Sequence, residues 1–225
     1  MKNVSHMNGK TMLCVSRITT GYGKKQVLTD VSFEVREREI VLLTGGNGSG
    51  KSTVLKTIYG LLEPWTHEGQ IIFNGEDITA LPTETMIQRG IVYMPQKRNV
   101  FEDFTVEENL LTSASIYSKA EAKQRIERTF DEFPSLAELR KRTPFNLSGG
   151  EKQLLAFANV FIHNACMFLL DEPFAGADES VTAKLAGMII SLQSRASFIV
   201  VEHKEQALAG ANATEIELEL GEVKK

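Results

Sequence analysis

Along this chain apolar residues first recur at every second position and only later at every third or fourth. Val27, Val31, Phe33 and Val35 stand on an alternating pattern, which predicts a half-buried β-strand. Ile40-Val41-Leu42-Leu43 is a continuous apolar run that leads into glycines, the form of a strand buried on both faces. From Lys51 to Leu62 the spacing is helical. Ile71-Ile72-Phe73-Asn74-Gly75 then predicts a strand closed by a hairpin turn, because Asn-Gly readily takes the positive φ angles of a tight hairpin. Ile91 to Met94 predicts one more short strand.

Past Gln96 the pattern changes. Thr105-Val106-Glu107-Glu108 and Ser118-Lys119-Ala120-Glu121 both have the form of a capping box and are followed by helix-forming residues, so residues 97–146 are expected to form a helical insertion. After Glu151 the order is helix, apolar strand from Met167 to Leu170, helix with Val181, Leu185, Ile189 and Leu192 on one face, and apolar strand from Phe198 to Val201. Glu215 to Leu220 is again strand-like. This alternation predicts an α/β fold on a mostly parallel sheet, with a β-rich start.

Bulk properties narrow the function. At 225 residues and 42% hydrophobic, residues 1–225 are expected to make one domain with one large core or a core and a satellite. A net charge of −4 supplies no basic field for nucleic acid, so no nucleic-acid partner is expected. Cys14 and Cys166 lack metal or disulfide spacing and read as reduced structural thiols. Met1 to Lys10 has no apolar signal core, and runs such as Ala165 to Leu170 are too short to cross a bilayer. The expected location is cytoplasmic, peripheral on the membrane face, with membrane contact only through a partner. His6, His67 and His163 show no partners in the sequence, and Trp65 reads as packing.

Three segments carry chemistry. Gly45-Gly46-Asn47-Gly48-Ser49-Gly50-Lys51-Ser52 fits the phosphate-binding loop pattern between a buried strand and a helix. Its glycines let backbone N–H groups turn inward around phosphate oxygens, Lys51 is placed to reach the β- and γ-phosphates, and the Ser52 hydroxyl is suited to Mg²⁺. The bare pattern arises by chance in roughly one chain of this length in a hundred. Phe168-Leu169-Leu170-Asp171-Glu172-Pro173 delivers two adjacent carboxylates at the end of an apolar strand: Asp171 for Mg²⁺ and Glu172 to polarise an attacking water. Leu147-Ser148-Gly149-Gly150-Glu151 opens a helix and makes a second candidate anion site. Taken alone the last is a flexible helix cap, and the carboxylate pair a solvated turn; their order along the chain favours the functional reading.

With these segments the sequence resembles the ATP-binding-cassette (ABC) family, whose signature is the Leu-Ser-Gly-Gly-Glu segment before an Asp-Glu strand. The resemblance implies a P-loop NTPase core with a mostly parallel sheet, an N-terminal antiparallel β-subdomain and a helical subdomain inserted at about residues 97–146. It implies an ATPase that uses ATP and Mg²⁺. Tyr22, in Gly21-Tyr22-Gly23, matches the aromatic residue under adenine; Gly45 to Thr53 match the phosphate loop; Gln96 matches the glutamine beside Mg²⁺ or the lytic water. Asp178 matches the aspartate facing the opposite subunit, and His203 the switch histidine at the γ-phosphate. The catalytic set implied is Glu172, His203, Gln96 and Lys51; the metal set is Ser52, Gln96 and Asp171. Ser148, Gly149, Gly150 and Glu151 are implied to touch ATP held by the other subunit.

The implied partners are therefore a second ABC ATPase subunit, in a homodimer or a heterodimer, and separate transmembrane permease subunits. Gly46, Ala177 and the Leu154-Leu155 pair depart from the commonest family pattern, without removing a phosphate or metal ligand. One cassette with no coiled-coil heptads leaves transport and, as the alternative, a soluble ATPase of iron–sulfur cluster assembly. From Gly21 through Ile78-Thr79 to Val100-Phe101 and Thr105 to Leu110 the chain is similar to branched-chain amino acid importer and lipopolysaccharide-export ATPases. Those two groups move cargo in opposite directions, so the transported molecule is not legible. The short run after Leu220 gives the expectation of no appended regulatory domain.

Overall fold

The computed structural model describes residues 9–79, 81–97, 99–202 and 205–224. Strands β1 (Thr11–Tyr22) and β2 (Lys25–Arg36) form a hairpin, followed by β3 (Ile40–Thr44) and helix α1 (Lys51–Ile58). Next come β4 (Gln70–Phe73), β5 (Glu76–Asp77) and β6 (Ile91–Met94), then α2 (Val106–Ser113), α3 (Lys119–Glu132) and α4 (Pro134–Glu138). Helix α5 (Gly149–Phe161), strand β7 (Met167–Asp171), helix α6 (Glu179–Leu192), and strands β8 (Ser197–Val201), β9 (Ala213–Glu219) and β10 (Glu222–Val223) complete the order.

One sheet has the order β2-β1-β4-β5 and is antiparallel; the other has the order β10-β9-β3-β8-β7-β6. In the second, every pairing is parallel except the β10 edge. The period-two geometry of a strand explains why its central members are apolar throughout. Phe168, Leu170, Phe198 and Val200 enter one cluster with α5 and α6, while Met167, Leu169, Ile199 and Val201 enter another with α1 and the antiparallel sheet. On the helical side Phe161, Phe168 and Phe198 stack in series, with centroids 4.7 and 5.1 Å apart. The stretch between β6 and α5 contributes Val106, Leu110, Ile126, Phe130 and Leu136 to that same cluster. Arg140 bridges Glu107 of α2 and Glu127 of α3.

Two elements differ from the sequence expectation. Strand β1 is not visible as an alternating pattern, because its pairing with β2 shifts register between Thr11 and Leu13, Val15 and Ile18, Ile18 and Thr20, and Thr20 and Gly21. Helix α1 stops at Ile58 instead of Leu62. Gly60 is left-handed there, and Leu61 N–H donates to Lys56 O while Gly60 N–H donates to Thr57 O, a Schellman closure. The Asn74-Gly75 turn forms as expected, with φ of 50° and 84°, and Thr105 with Glu108 makes the full capping box. Among the described residues no helix is long and apolar enough to cross a membrane.

Candidate active site

Strand β3 hands the chain to a loop, Gly45 to Gly50, in which Gly45, Gly48 and Gly50 have φ of 130°, 80° and 105°. Gly45 is fixed by close approach as well: a Cβ there would stand 2.1 Å from the Leu218 carbonyl oxygen of β9. The loop opens α1, whose N-terminus has no side-chain cap and no acidic residue in its first turn. That leaves the positive end of the helix dipole available to an anion. Ser49 Oγ is buried in this loop with no hydrogen-bond partner, and Thr53 lies buried in the first turn behind it.

Lys51 is only 6% exposed. Its ammonium folds back and donates to the Gly45 and Gly46 carbonyls at 2.8 and 2.9 Å. Burial lowers its pKa, and the charges of Glu172 and Asp171 partly restore it. The Ser52 hydroxyl donates to Asp171 Oδ1 at 2.9 Å, and the Tyr93 hydroxyl donates to Asp171 Oδ2 at 3.3 Å. Burial raises the Asp171 pKa against those two hydrogen bonds, and it raises that of Tyr93 as well. Glu172 follows with φ of 51°, a left-handed position for a non-glycine residue, held by its N–H donating to Val201 O at 2.9 Å.

Lys51, Ser52 and Glu172 line a cleft of about 600 Å³ together with Tyr22, Asn47 and Gln96, and Asp171 sits behind Ser52. The cleft lies where the C-terminal ends of β3, β6 and β7 converge, the edge at which open α/β sheets place ligands. Tyr22 is 45% exposed at its rim, with Lys56 donating to its hydroxyl at 3.3 Å.

The Ser148 to Glu151 segment lies outside the lining of this cleft. Ser148 caps α5: its hydroxyl accepts from Glu151 N–H at 3.2 Å, and its own N–H donates to the Glu151 carboxylate at 2.7 Å. That backbone hydrogen bond holds the Glu151 carboxyl below the usual range, so Glu151 is occupied in the cap. Beside it a Cβ on Gly149 would meet Gly176 O at 3.1 Å, and one on Gly150 would meet Val181 Cγ2 at 3.0 Å. Asp178 accordingly sits next to this loop and caps α6, accepting from Val181 N–H at 2.9 Å.

A family profile described as ABC transporter matches residues 28–175. The chain belongs to the ABC transporter family. A probable branched-chain amino acid transport ATP-binding protein of Archaeoglobus fulgidus is 39% identical over 87% of this chain and 83% of its own. A lipopolysaccharide export system ATP-binding protein of Haemophilus influenzae is 34% identical over 85% of this chain and 79% of its own. A solved dimeric ATP-binding cassette in a post-hydrolysis state with ADP and Pi superposes with a TM-score of 0.84, at 25% identity, over 95% of this chain and 97% of that one. The protein is an ABC-type ATP-binding subunit and an ATPase of this family.

The fold thus lines the cleft with Tyr22, Asn47, Gly48, Gly50 to Thr53, Gln96 and Glu172, with Asp171 behind Ser52, and sets Ser148 to Glu151 beside Asp178 outside that lining. His203 lies outside the described residues. Two participants escaped the sequence reading. Tyr93 reaches Asp171 only because β6 pairs with β7 in parallel, setting Tyr93 opposite Leu169. Gln153, buried in α5, donates to Pro173 O and so ties the signature helix to the loop after Glu172. Two of the sequence departures have packing reasons: Leu154 and Leu155 are buried in the helical-side core and Ala177 is buried; nothing in the structure accounts for Gly46, where a Cβ would meet no neighbour. His163 has a partner after all, the Tyr117 hydroxyl at 3.0 Å from Nδ1, and burial together with Arg125 pushes its pKa down to about 4.

Proposed function

We propose that this ABC subunit binds MgATP in the cleft between the Gly45–Gly50 loop, Tyr22 and Gln96, and hydrolyses it as a head-to-tail dimer that drives transport through separate membrane subunits. The observation that carries this reading is the division of the site. Lys51, Ser52 and Glu172 line one cleft, with Asp171 buried behind it on the Ser52 hydroxyl, and the signature cap lies outside that cleft on the same chain. A two-fold pairing would set each cleft against the partner's cap, completing two sites at once.

Within each site the loop amides and Lys51 would bind the phosphates, exchanging the two carbonyl contacts of the ammonium for charged oxygens. Ser52 and Asp171 would hold Mg²⁺ with Gln96 at the rim, and the ion would neutralise charge on the phosphate oxygens. The donor set fits: one hydroxyl and one carboxylate already in contact leave the remaining positions to phosphate and water. Glu172, fixed at its left-handed position, would orient the attacking water and accept its proton. His203 would contact the γ-phosphate, and Asp178 would meet the opposite subunit. Closure would pass through Gln96 and the helices of residues 97–146 to membrane subunits on the cytoplasmic face.

The decisive comparison is turnover and gel filtration of the parent chain and Glu172→Gln in MgATP. Turnover of the variant should fall roughly 10²–10⁴-fold, the range of a lost general base, and the variant should elute as a nucleotide-dependent dimer. Hydrolysis at the parent rate would remove Glu172 from the reaction.

A further inference from the structure

The turn joining β9 to β10 carries an anomaly at Leu220. This leucine is 91% exposed, the greatest exposure among the large hydrophobic side chains described, and its φ is 49°. A left-handed backbone is strained for a branched side chain, whereas glycine or asparagine would occupy the position with little strain. Neither burial nor backbone preference accounts for a leucine there.

The turn cannot relax away from this geometry. Gly221 N–H donates to Ser49 O of the phosphate loop at 3.1 Å, and its carbonyl accepts from Thr29 N–H at 2.9 Å. A Cβ on Gly221 would stand 2.1 Å from Val27 O, so the turn is clamped between the phosphate loop and β2. From that clamp Leu220 lines the same cleft as Tyr22, Val27, Lys51 and Glu172. An apolar side chain gains nothing from a triphosphate; in a cleft whose other apolar lining is Tyr22 and Val27, the part of the ligand it suits is the nucleoside.

Resting on the assignment of this cleft to ATP, we propose that Leu220 is a specificity and positioning residue that closes on the base and ribose beside Tyr22. Its exposed side chain is covered when nucleotide enters, and the strain at φ 49° is retained because it aims the side chain into the cleft. Covering little more than one methylene equivalent corresponds to about a fivefold gain in affinity.

The test is calorimetric binding of MgATP and of inorganic tripolyphosphate to the full chain and to its Leu220→Asn and Leu220→Ala variants, with thermal melts of each. ATP should bind both variants about fivefold more weakly, tripolyphosphate should bind all three alike, and Leu220→Asn should melt about 2–4 °C higher through relief of strain. ATP affinity within twofold of the parent in both variants overturns the proposal. Equal loss for ATP and tripolyphosphate overturns it too, since that reports a phosphate loop disturbed through Gly221. A defect confined to nucleotide-dependent dimerisation would assign Leu220 to the subunit interface instead. Failure of the parent itself to bind ATP would be a different result, overturning the nucleotide reading of the cleft.

Discussion

The two glycine-bearing loops of this chain open their helices in opposite ways. At the Gly45–Gly50 loop α1 starts uncapped, Ser49 Oγ is buried without a partner, and Lys51 makes do with two backbone carbonyls. Nearby sit a carboxylate whose pKa burial raises and a left-handed Glu172. At the signature loop α5 starts with a complete capping box, and Asp178 caps α6 beside it. The first loop stores unmet polar demand inside a cleft; the second is locally satisfied and outside it. A loop of the first kind gains by taking an anion, whereas one of the second kind presents a rigid, preformed surface to something else. That contrast is why the division of the site across a dimer is the reading we favour.

Lys51→Met would break the contrast most sharply. Losing one charge-assisted phosphate contact should weaken MgATP binding roughly 10- to 100-fold. Without nucleotide, removing a buried ammonium should leave the melting temperature unchanged or higher. Calorimetry and melts on the same samples check both signs, and a drop in apo stability would mean that Lys51 is a structural group.

The signature half can be loosened by acid through His163, which lies just beyond the C-terminus of α5. Its folded pKa of about 4 is below the ordinary 6.5. Between those values the unfolded chain binds a proton that the folded chain refuses, so stability falls as pH drops from 6.5 toward 4. The loss approaches about 3 kcal/mol. Melting temperatures from pH 7 to 4.5 should fall more steeply for the parent than for His163→Gln; parallel curves would show that His163 is not the titrating group. Ser148→Ala has the smallest expected effect on the fold, about 1 kcal/mol for a lost helix cap. If the cap also receives nucleotide in trans, that variant loses MgATP-dependent dimer formation on gel filtration while its cleft still binds ATP with parental affinity.

How legible these features were depends on the range of the interaction that makes them. The Thr105 capping box, the Asn74-Gly75 turn and the phosphate loop are written within a few consecutive residues, and the sequence displays them; at Ser118 only half of the expected box forms, the hydroxyl accepting from Glu121 N–H. Strand β1 was hidden, since its register shifts are stabilised by β2 and β4 and not by its own alternation. The Tyr93 contact with Asp171, and that of Gln153 with Pro173, join residues 78 and 20 positions apart, so no local pattern announces them. Leu220 looked like the end of a strand; only the clamp of Gly221 between Ser49 and Val27 turns it into a wall of the cleft.

By itself, then, the sequence determined the chemical groups and their order: a loop that can wrap phosphate, an acidic pair after a buried strand, and a capped glycine helix between them. These follow from residue type and near-neighbour spacing, which fix backbone freedom and charge. Tertiary structure decided which groups share a cleft. Parallel pairing of β3, β8, β7 and β6 sets their C-terminal ends side by side, and it is that juxtaposition, not any motif, which gathers Lys51, Ser52, Asp171 and Glu172 and leaves Ser148 outside the cleft lining.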